Sequence, residues 1–208
     1  MVGRILAAFA ASLLLCGGTS LAQAQTAAPK ATPTAAPKPT RSAAKPAEPV
    51  KPPAGMTGGA EPTLIGQFGT WGAYSATPNG KVVCFALAKP SSSKTNPPNR
   101  PRDPAYAFVS TRPAEKVINE VSVMIGYQLK PGSESTVDVG GASYAMYTQG
   151  DGLWIKNAAE EDAMVQAMRR SPDITVRGVS AKGTETTDTF SLKGLAQALD
   201  KIAQDCRR

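Results

Sequence analysis

The chain contains no histidine among its 208 residues. Catalytic Ser-His-Asp and Cys-His systems need an imidazole base, and many zinc sites use imidazole ligands, so the sequence excludes these classes. It also lacks a glycine-rich phosphate loop, because Gly140-Gly141 lies between two predicted strands and does not open a helix. We therefore expect no metal site, no cofactor and no catalytic residues of these kinds.

The folded part also lacks a concentrated basic region. Residues 25–62 hold five basic and two acidic residues, and residues 63–208 hold 17 basic and 14 acidic residues. Each part therefore carries +3 of the total charge of +7, and Arg4 supplies the remainder. Because nucleic-acid-binding proteins carry a dense basic surface, the sequence predicts no nucleic-acid partner.

Aromatic residues are few, at 6% of the chain, and two of them are tryptophans. Trp71 and Trp154 are each flanked by apolar residues. A large aromatic side chain in such surroundings is usually buried, so we predict that both belong to the core and do not form a ligand platform.

Cysteine is scarce, and the first of the three cysteines lies in an export signal. Residues 1–24 combine a basic start at Arg4, an apolar run at 5–15 and the small-x-small sequence at 22–24. This combination is typical of a cleaved secretory signal peptide, and the apolar run is too short to span a bilayer. We predict a signal peptide over 1–24 and an exported protein, located in the periplasm, at the cell surface or in the medium.

An alternative interpretation of this region starts from Cys16. The sequence LLLCG at 13–17 resembles the lipobox of a bacterial lipoprotein, in which the cysteine is lipidated and becomes the mature N-terminus. The residue before such a cysteine is normally small, whereas here it is Leu15, so the cleaved signal peptide is favoured. The alternative implies peripheral or lipid-anchored membrane association through Cys16.

The two other cysteines, Cys84 and Cys206, lie near opposite ends of the folded part. Exported proteins with an even number of cysteines usually pair them. A bridge closing a loop of over 100 residues contributes about 4–5 kcal/mol in the chain-entropy model. Catalytic dithiols usually lie close in sequence, so this wide spacing indicates a structural disulfide and not a redox site.

Residues 25–62 have the composition of a spacer. They contain nine of the 18 prolines, ten alanines and interspersed lysines, with almost no large apolar residue. Such a segment cannot bury enough surface to offset its loss of chain entropy, so we predict disorder with polyproline-II character. Its cations have an alternative role in association with anionic envelope polymers or lipids.

Residues 63–208 are long enough for one domain with its own core. Their hydrophobic pattern is mostly of period two and rich in β-branched and aromatic residues, which is typical of strands. The predicted strands are 81–88, 105–112, 117–127, 135–140, 143–149, 153–156 and 173–181. Gly140-Gly141 predicts a hairpin turn, and residues 89–104, with five prolines, are predicted to form an exposed loop.

Two helices are predicted within this β pattern. Asn157 can cap the first, with Glu160 completing a capping-box-like arrangement, and Ser171-Pro172 ends it. The second closes the domain with an apolar stripe at helical spacing, formed by Leu195, Leu199, Ile202 and Cys206. The predicted fold is mainly β, an antiparallel β-sandwich-like single domain with two helices, one of them C-terminal.

Catalysis without histidine would require paired carboxylates across a cleft, as in glycosidases. The candidates are Glu120, Asp138, Asp151 and Asp188. We interpret all four as residues on solvated faces or in local hydrogen bonds with the backbone. A histidine-free hydrolase is therefore the least favoured hypothesis.

Three arginines form the candidate binding surface. Arg100 and Arg102 lie in the sequence NRPRDP, and Arg112 lies at the end of a predicted strand. For Arg112 the alternative is an ordinary salt bridge with Glu115 or Asp103, and this alternative is favoured.

Segments spread along residues 63–208 carry a family resemblance. They are FGTWGAY (68–74), DPAYAFVSTRP (103–113), NEVSVMIGY (119–127), TQGDGLWIKN (148–157), GVSAKGTETTDTFSLKG (178–194) and ALDKIAQDC (198–206). In their order and joint extent they resemble the invasion-associated locus B family of alphaproteobacterial exported proteins. The resemblance implies an exported, compact, β-rich domain with a terminal helix, in a family whose founding member is associated with entry into host cells.

We therefore expect a non-catalytic exported binding or envelope protein. Its partner would be an unidentified protein, or an envelope or host-surface component. The alternative is a periplasmic structural protein that associates with peptidoglycan or anionic envelope components, and the hydrolase is the second alternative.

Overall fold

The structure is a computed structural model that describes residues 48–53 and 57–207. The predicted signal peptide, with Cys16, and residues 25–47 and 54–56 of the predicted spacer lie outside the described residues. The predictions made for these segments therefore stay predictions.

Eleven strands of the described region form one continuous antiparallel sheet. They are β1 (Thr63–Phe68), β2 (Trp71–Ala76), β3 (Val83–Ala88), β4 (Ser92–Asn96), β5 (Tyr106–Arg112), β6 (Val117–Met124), β7 (Ser135–Val139), β8 (Ala142–Gln149), β9 (Gly152–Ile155), β10 (Asp173–Val179) and β11 (Glu185–Ser191). Their order across the sheet is β1-β2-β3-β5-β6-β9-β8-β7-β10-β11-β4. The predicted mainly β, antiparallel fold is confirmed.

Both predicted helices are present, as α1 (Glu161–Arg170) and α2 (Leu195–Asp205). Asn157 caps the 3-10 turn that leads into α1, since its Oδ1 accepts a hydrogen bond from the Ala159 amide at 3.2 Å, whereas Glu160, the N-cap residue of α1, makes no capping hydrogen bond with its side chain. The first turn after this cap is a 3-10 turn over Ala158–Glu160, and α1 follows it. Within the described part of the chain, no helix has the length and apolar character needed to cross a membrane.

The sheet curls so that strands near its two ends come into contact. Trp71 at the start of β2 donates from its indole nitrogen to the carbonyl of Ser191 at the end of β11, at 2.9 Å. The neighbouring Thr70 amide donates to the Lys193 carbonyl at 3.1 Å. Because β2 is second and β11 tenth in the strand order, these bonds join opposite parts of the sheet. The strands of the described region therefore form one sheet that curls so that β2 and the end of β11 come into contact.

The main core fills the concave side of this sheet, and α2 packs there against β1, β2 and β3. The predicted stripe of α2 is buried, because Leu195, Leu199 and Ile202 have no exposed surface. Cys206 follows on the same face and forms the predicted disulfide with Cys84 of β3. The bridge therefore fastens the end of the terminal helix to the sheet.

The two tryptophans occupy different environments. Trp71 is fully buried in the core, as predicted. Trp154 is only half-buried and stacks on Tyr147, with ring centroids 5.7 Å apart, so its placement in the core was wrong. The reason is strand alternation in β9, where the neighbours Leu153 and Ile155 face the core and Trp154 faces the opposite side.

A second, smaller apolar cluster lies on the convex face of the sheet. It contains Tyr74, Phe85, Leu87 and Phe108. Val50, from the predicted spacer, packs against this cluster, and its carbonyl accepts a hydrogen bond from the Tyr74 hydroxyl. Burial raises the pKa of Tyr74 above its ordinary value. The described part of the spacer therefore contacts the domain.

The predicted loop over residues 89–104 contains a strand, β4. β4 pairs with β11 through residues 92–96 and ends the sheet, so it has a neighbour on one side within the described residues. Its side chains are polar and mostly exposed, which removes the apolar alternation that identifies a strand. The prediction of a loop was wrong for this reason.

Candidate functional site

A pocket of about 590 Å³ opens on the concave side of the sheet, at the edge where β10 and β4 end and β11 begins. Its walls come from within residues 95–102, residues 127–128 and residues 180–186. This volume lies in the range of small-molecule sites in proteins. We call it the basic pocket, after the charges described below.

The inner face of β11 changes from apolar to polar as it approaches the pocket. Phe190, Asp188 and Thr186 alternate along this face and are all buried. Phe190 belongs to the main core, whereas Thr186 lines the pocket. Asp188 therefore lies at the boundary between the core and the pocket.

Arg102 lies between Asp188 and the pocket, at the boundary between the core and the pocket. Its Nη1 donates to Asp188 Oδ2 at 2.7 Å and to the Ile125 carbonyl at 3.0 Å, and its Nη2 donates to Asp188 Oδ1. The Arg102 side chain is 11% exposed and that of Asp188 is not exposed at all. A buried charge is tolerated when its partner neutralises it with good geometry, which a two-point guanidinium–carboxylate pair provides. The pair forms the floor of the basic pocket.

The interpretation of Asp188 as a residue on a solvated face was wrong, because it has no exposed surface. Its charge is neutralised by an arginine 86 positions away in the chain. No local pattern shows such a partner, so the sequence alone gives no reason to bury a carboxylate at this position.

Tyr127 forms one wall of the pocket. Its hydroxyl lies 2.6 Å from Thr186 Oγ1, and its ring centroid lies 6.0 Å from the guanidinium carbon of Arg102. Burial is the main cause that raises the pKa of Tyr127, so the hydroxyl stays protonated and neutral at physiological pH. These contacts fix the orientation of the wall relative to the floor.

Two further cations lie at the rim. Arg100 and Lys182 both line the pocket and are exposed to solvent. Among the residues that the structure describes, no carboxylate lines the pocket. Glu185, at the start of β11, alternates onto the other face, where it accepts a hydrogen bond from Asn96 at 3.1 Å. Since Asp188 neutralises only one of the three lining cations, the pocket has a positive potential.

Arg112 lies outside this pocket, at the far end of β5. Its Nε donates to Glu115 Oε2 at 2.7 Å, and its Nη1 and Nη2 donate to the Glu120 carboxylate at 2.8 and 3.1 Å. The hydrogen bond to Glu120 is the largest cause that raises the pKa of Arg112. The expected salt bridge to Glu115 is present, and the second partner is Glu120 and not Asp103.

The structure thus brings together two of the three arginines proposed as a binding surface. Arg100 and Arg102 line one pocket, while Arg112 belongs to a separate ion-pair cluster. Sequence analysis missed Tyr127, Lys182 and Thr186, which complete the pocket. The alternation of Thr186 and Asp188 with Phe190 was a usable signal for a strand that changes from polar to apolar on one face.

Three of the four candidate carboxylates are paired with arginines. Glu120 pairs with Arg112, Asp138 with Arg177, and Asp188 with Arg102. The paired strands place Asp188 beside the core residue Val176 and Asp138 beside Thr175, so these two carboxylates lie on opposite faces of the sheet. Asp151 lies in the β8–β9 turn. Across the described region, no group of three or more His, Cys, Asp or Glu residues could hold a metal ion.

The comparisons with known proteins identify one family. The family model described as invasion associated locus B (IalB) protein matches residues 71–203, a span that contains the basic pocket and the Arg112 cluster. Comparison with curated proteins and with solved structures gave no significant match. The resemblance seen in the sequence is therefore confirmed, and the chain belongs to the invasion-associated locus B family.

Proposed function

We propose that this chain is a non-catalytic exported binding protein of the bacterial envelope or cell surface, and that the basic pocket is its binding site. Membership of the invasion-associated locus B family supports a role among exported proteins of this kind. The signal-peptide pattern of residues 1–24 supports export. The ligand or partner is a component of the envelope or of a host surface.

The observation that carries the proposal is a pocket of small-molecule size whose floor is held in place. The two-point pair between Arg102 and Asp188 and the hydrogen bond between Tyr127 and Thr186 fix its floor and one wall. A site that is ordered before binding loses less conformational freedom when the ligand arrives. The geometry of the basic pocket therefore supports its role as a ligand-binding site.

The non-catalytic part of the proposal is supported by the chemistry of the pocket. The chain has no histidine, and no carboxylate of the described residues lines the pocket. Asp188, the nearest acid below the floor, directs both of its oxygens at Arg102 and is shielded from solvent. A general base must reach the proton that it removes, and this carboxylate is already engaged.

The test uses the exported protein in co-sedimentation with three preparations: outer-membrane vesicles, peptidoglycan sacculi and host-cell membranes. Ala181→Trp places a large ring at an exposed lining position without changing charge. Ala114→Trp places the same ring at an exposed position in the turn after β5 and serves as the matched control. We expect binding to at least one preparation by the parent protein and by A114W, and its loss in A181W.

The same assay distinguishes binding through the pocket from the alternative, a structural protein that associates with peptidoglycan or anionic envelope components. A variant with glutamine at Lys30, Lys38, Arg41, Lys45 and Lys51 removes all five cations of the spacer. If this variant loses retention on sacculi while A181W keeps it, the spacer is the binding element and the pocket proposal is wrong. A parent protein that binds none of the three preparations would also overturn the proposal.

A further inference from the structure

We infer that the basic pocket recognises an oxyanion, a carboxylate or phosphate group carried by its ligand. This inference rests on the proposed binding function and names the chemistry that the pocket selects. It is carried by three features of the pocket: an excess of cations, hydrogen-bond donors without a partner in the protein, and a carboxylate beneath the floor that the ligand cannot reach.

The first feature is charge. Neither Arg100 nor Lys182 has a salt-bridge partner among the residues that the structure describes, although both line the pocket. Two exposed cations at one concave rim repel each other and attract an anion. A ligand that neutralises both gains charge-assisted hydrogen bonds, which are stronger than those between neutral groups.

The second feature is the set of remaining donors. Arg102 has five N–H groups, of which Asp188 and Ile125 accept three. Its Nε–H and the second hydrogen of Nη2 have no partner among the described residues. The guanidinium is held rigidly by Asp188, so little side-chain freedom is lost when a ligand oxygen accepts from these groups.

Two hydroxyl groups add to these donors. Thr95 Oγ1 accepts from the Arg100 amide at 3.2 Å, and Ser180 Oγ accepts from the Thr184 amide at 3.0 Å. A hydroxyl that already accepts a hydrogen bond keeps its own O–H to donate. Both side chains line the pocket, which therefore offers donors to a ligand rich in acceptor oxygens.

The third feature explains why these cations coexist. Asp188 lies beneath Arg102 with both oxygens engaged and no exposed surface, so it stabilises the floor without competing for a ligand. A carboxylate at the rim would occupy Arg100 or Lys182 instead. The arrangement keeps one cation in place and leaves two for an anionic partner.

The experiment is calorimetric titration of the exported protein with three probes: sodium galacturonate, galactose and inorganic phosphate. Galacturonate and galactose share a sugar ring and differ by the carboxylate, so their comparison isolates the charge. We expect saturable binding of galacturonate and phosphate and at least about tenfold weaker binding of galactose, since galactose lacks the charged group to which the cations donate.

Two double variants test the location. Arg100→Gln with Lys182→Gln removes the rim cations, and Lys116→Gln with Arg170→Gln removes two exposed cations elsewhere. All four side chains are exposed, so both variants should unfold at the temperature of the parent protein. We expect the rim variant to weaken phosphate and galacturonate binding about tenfold or more, and the control to bind as the parent does.

The source of the oxyanion is distinguished with vesicles of phosphatidylglycerol and of phosphatidylcholine. Binding to the anionic vesicles that the rim variant loses and the control keeps indicates a lipid phosphate as the ligand group. Binding of galacturonate or phosphate with no affinity for either vesicle indicates a soluble or polymer-borne anion. Both results support the inference.

The inference is overturned if the protein binds neither galacturonate nor phosphate, if galactose binds as well as galacturonate, or if the two double variants lose affinity equally. Its failure is distinct from failure of the proposed function. If A181W abolishes binding to an envelope preparation but the rim variant does not, the pocket binds a ligand that is not an oxyanion. If A181W leaves that binding intact, the proposed function itself is wrong.

Discussion

The two ends of β5 carry arginine–carboxylate contacts of the same chemistry in different surroundings. Arg102, just before β5, pairs with Asp188, and these side chains are 11% and 0% exposed. Arg112, at the other end, pairs with Glu120, and both of these side chains are 26% exposed. Solvent partly screens the second pair, so it contributes less, whereas removing one member of the first leaves an uncompensated buried charge. The degree of burial therefore decides how much each arginine contributes to stability.

The end with the exposed ion pairs is fastened covalently. Cys84 lies beside Thr111 in the β3–β5 pairing, and Cys206 Sγ lies 3.7 Å from the Thr111 carbonyl. Arg112 follows directly in the chain. The Arg112 end is therefore stabilised by the disulfide and by apolar packing of α2, and the Arg102 end by a buried ion pair that also forms a pocket floor. This division predicts a different response to mutation at each end.

The largest effect is expected from removing the disulfide. Cys84 and Cys206 are 122 positions apart, so a C84A/C206A variant loses a long-loop constraint worth about 4–5 kcal/mol in the chain-entropy model. Urea unfolding of the variant and of the parent protein gives the difference in the free energy of unfolding. A loss below about 1 kcal/mol would show that α2 is held mainly by its apolar stripe.

The next effect is expected at the floor of the pocket. Asp188→Ala leaves Arg102 buried without its counter-charge and should lower the free energy of unfolding by about 3–5 kcal/mol. Glu120→Ala, in the exposed cluster, is the matched control and should cost about 1 kcal/mol or less. Equal losses in the two variants, measured by urea unfolding, would remove the distinction between the two ends.

A double replacement sharpens this test. Arg102→Met combined with Asp188→Leu removes both charges and fills the space with apolar groups of similar length. Such replacements of buried ion pairs are often neutral or stabilising, so we expect most of the loss seen in D188A to be recovered. The same variant should lose the proposed anion binding, because Arg102 no longer donates to the pocket. Recovery of stability together with unchanged binding would contradict the role assigned to Arg102.

A smaller effect is expected at the exposed end. Arg112→Ala removes contacts to Glu115 and Glu120 and should lower the free energy of unfolding by about 1 kcal/mol or less. High salt screens exposed pairs, so the difference between variant and parent should shrink when unfolding is repeated near 1 M sodium chloride, where the Debye length is about 3 Å. A difference that salt does not change would indicate that packing of the arginine stem dominates.

The smallest effect is a pH dependence beside the exposed cluster. Glu161, at the start of α1, accepts from the Val121 amide at 2.7 Å, and burial is the main cause that raises the pKa of its carboxyl. The folded state then holds this proton more tightly than the unfolded chain does. The stabilising contribution of the group is present below its unfolded pKa and is lost as pH rises through the folded pKa.

Glu161→Gln keeps an oxygen acceptor for Val121 and does not titrate. Relative to the parent protein, this variant should therefore become more stable as pH rises above the ordinary pKa of a glutamic acid, about 4.3. Glu160→Gln, at the exposed neighbouring position, is the matched control and should show no comparable trend. Thermal unfolding at several pH values measures both, and a parallel pH profile for E161Q and the parent would contradict the assignment.

The sequence predicts the strands whose buried positions carry β-branched or large apolar residues and misses those that lack them. β7 and β10 alternate between buried and more exposed positions, β3 and β5 are apolar on both faces, and all four were identified. β2 is buried at five of its six positions but consists largely of small residues, and β4 is polar and mostly exposed. In β11 a fully buried aspartate takes a core position, which interrupts the apolar pattern.

The candidate site was predicted only in part for the same physical reason. Arg100 and Arg102 were identified from their local sequence, and both line the pocket. Asp188, the ion-pair partner of Arg102, and Lys182, the other cation at the rim, lie about 80 positions further along the chain. The curling of the sheet and the β10–β11 hairpin bring them to the site. Contacts between residues so far apart in sequence leave no local pattern. Arg112 was proposed from its place at the end of a predicted strand, and its ion pairs separate it from the other two.

The measurement that tests the account most directly is amide chemical-shift mapping by NMR during titration with galacturonate and, separately, with galactose. We predict saturable shifts at Lys182, Gly183 and Thr184 of the pocket rim with galacturonate, smaller effects with galactose, and no change at Lys116 and Val117 beside Arg112. Shifts that are absent from the rim, or that are as large beside Arg112 as in the pocket, would contradict the claim that the buried Arg102–Asp188 pair supports a specific anion-binding site.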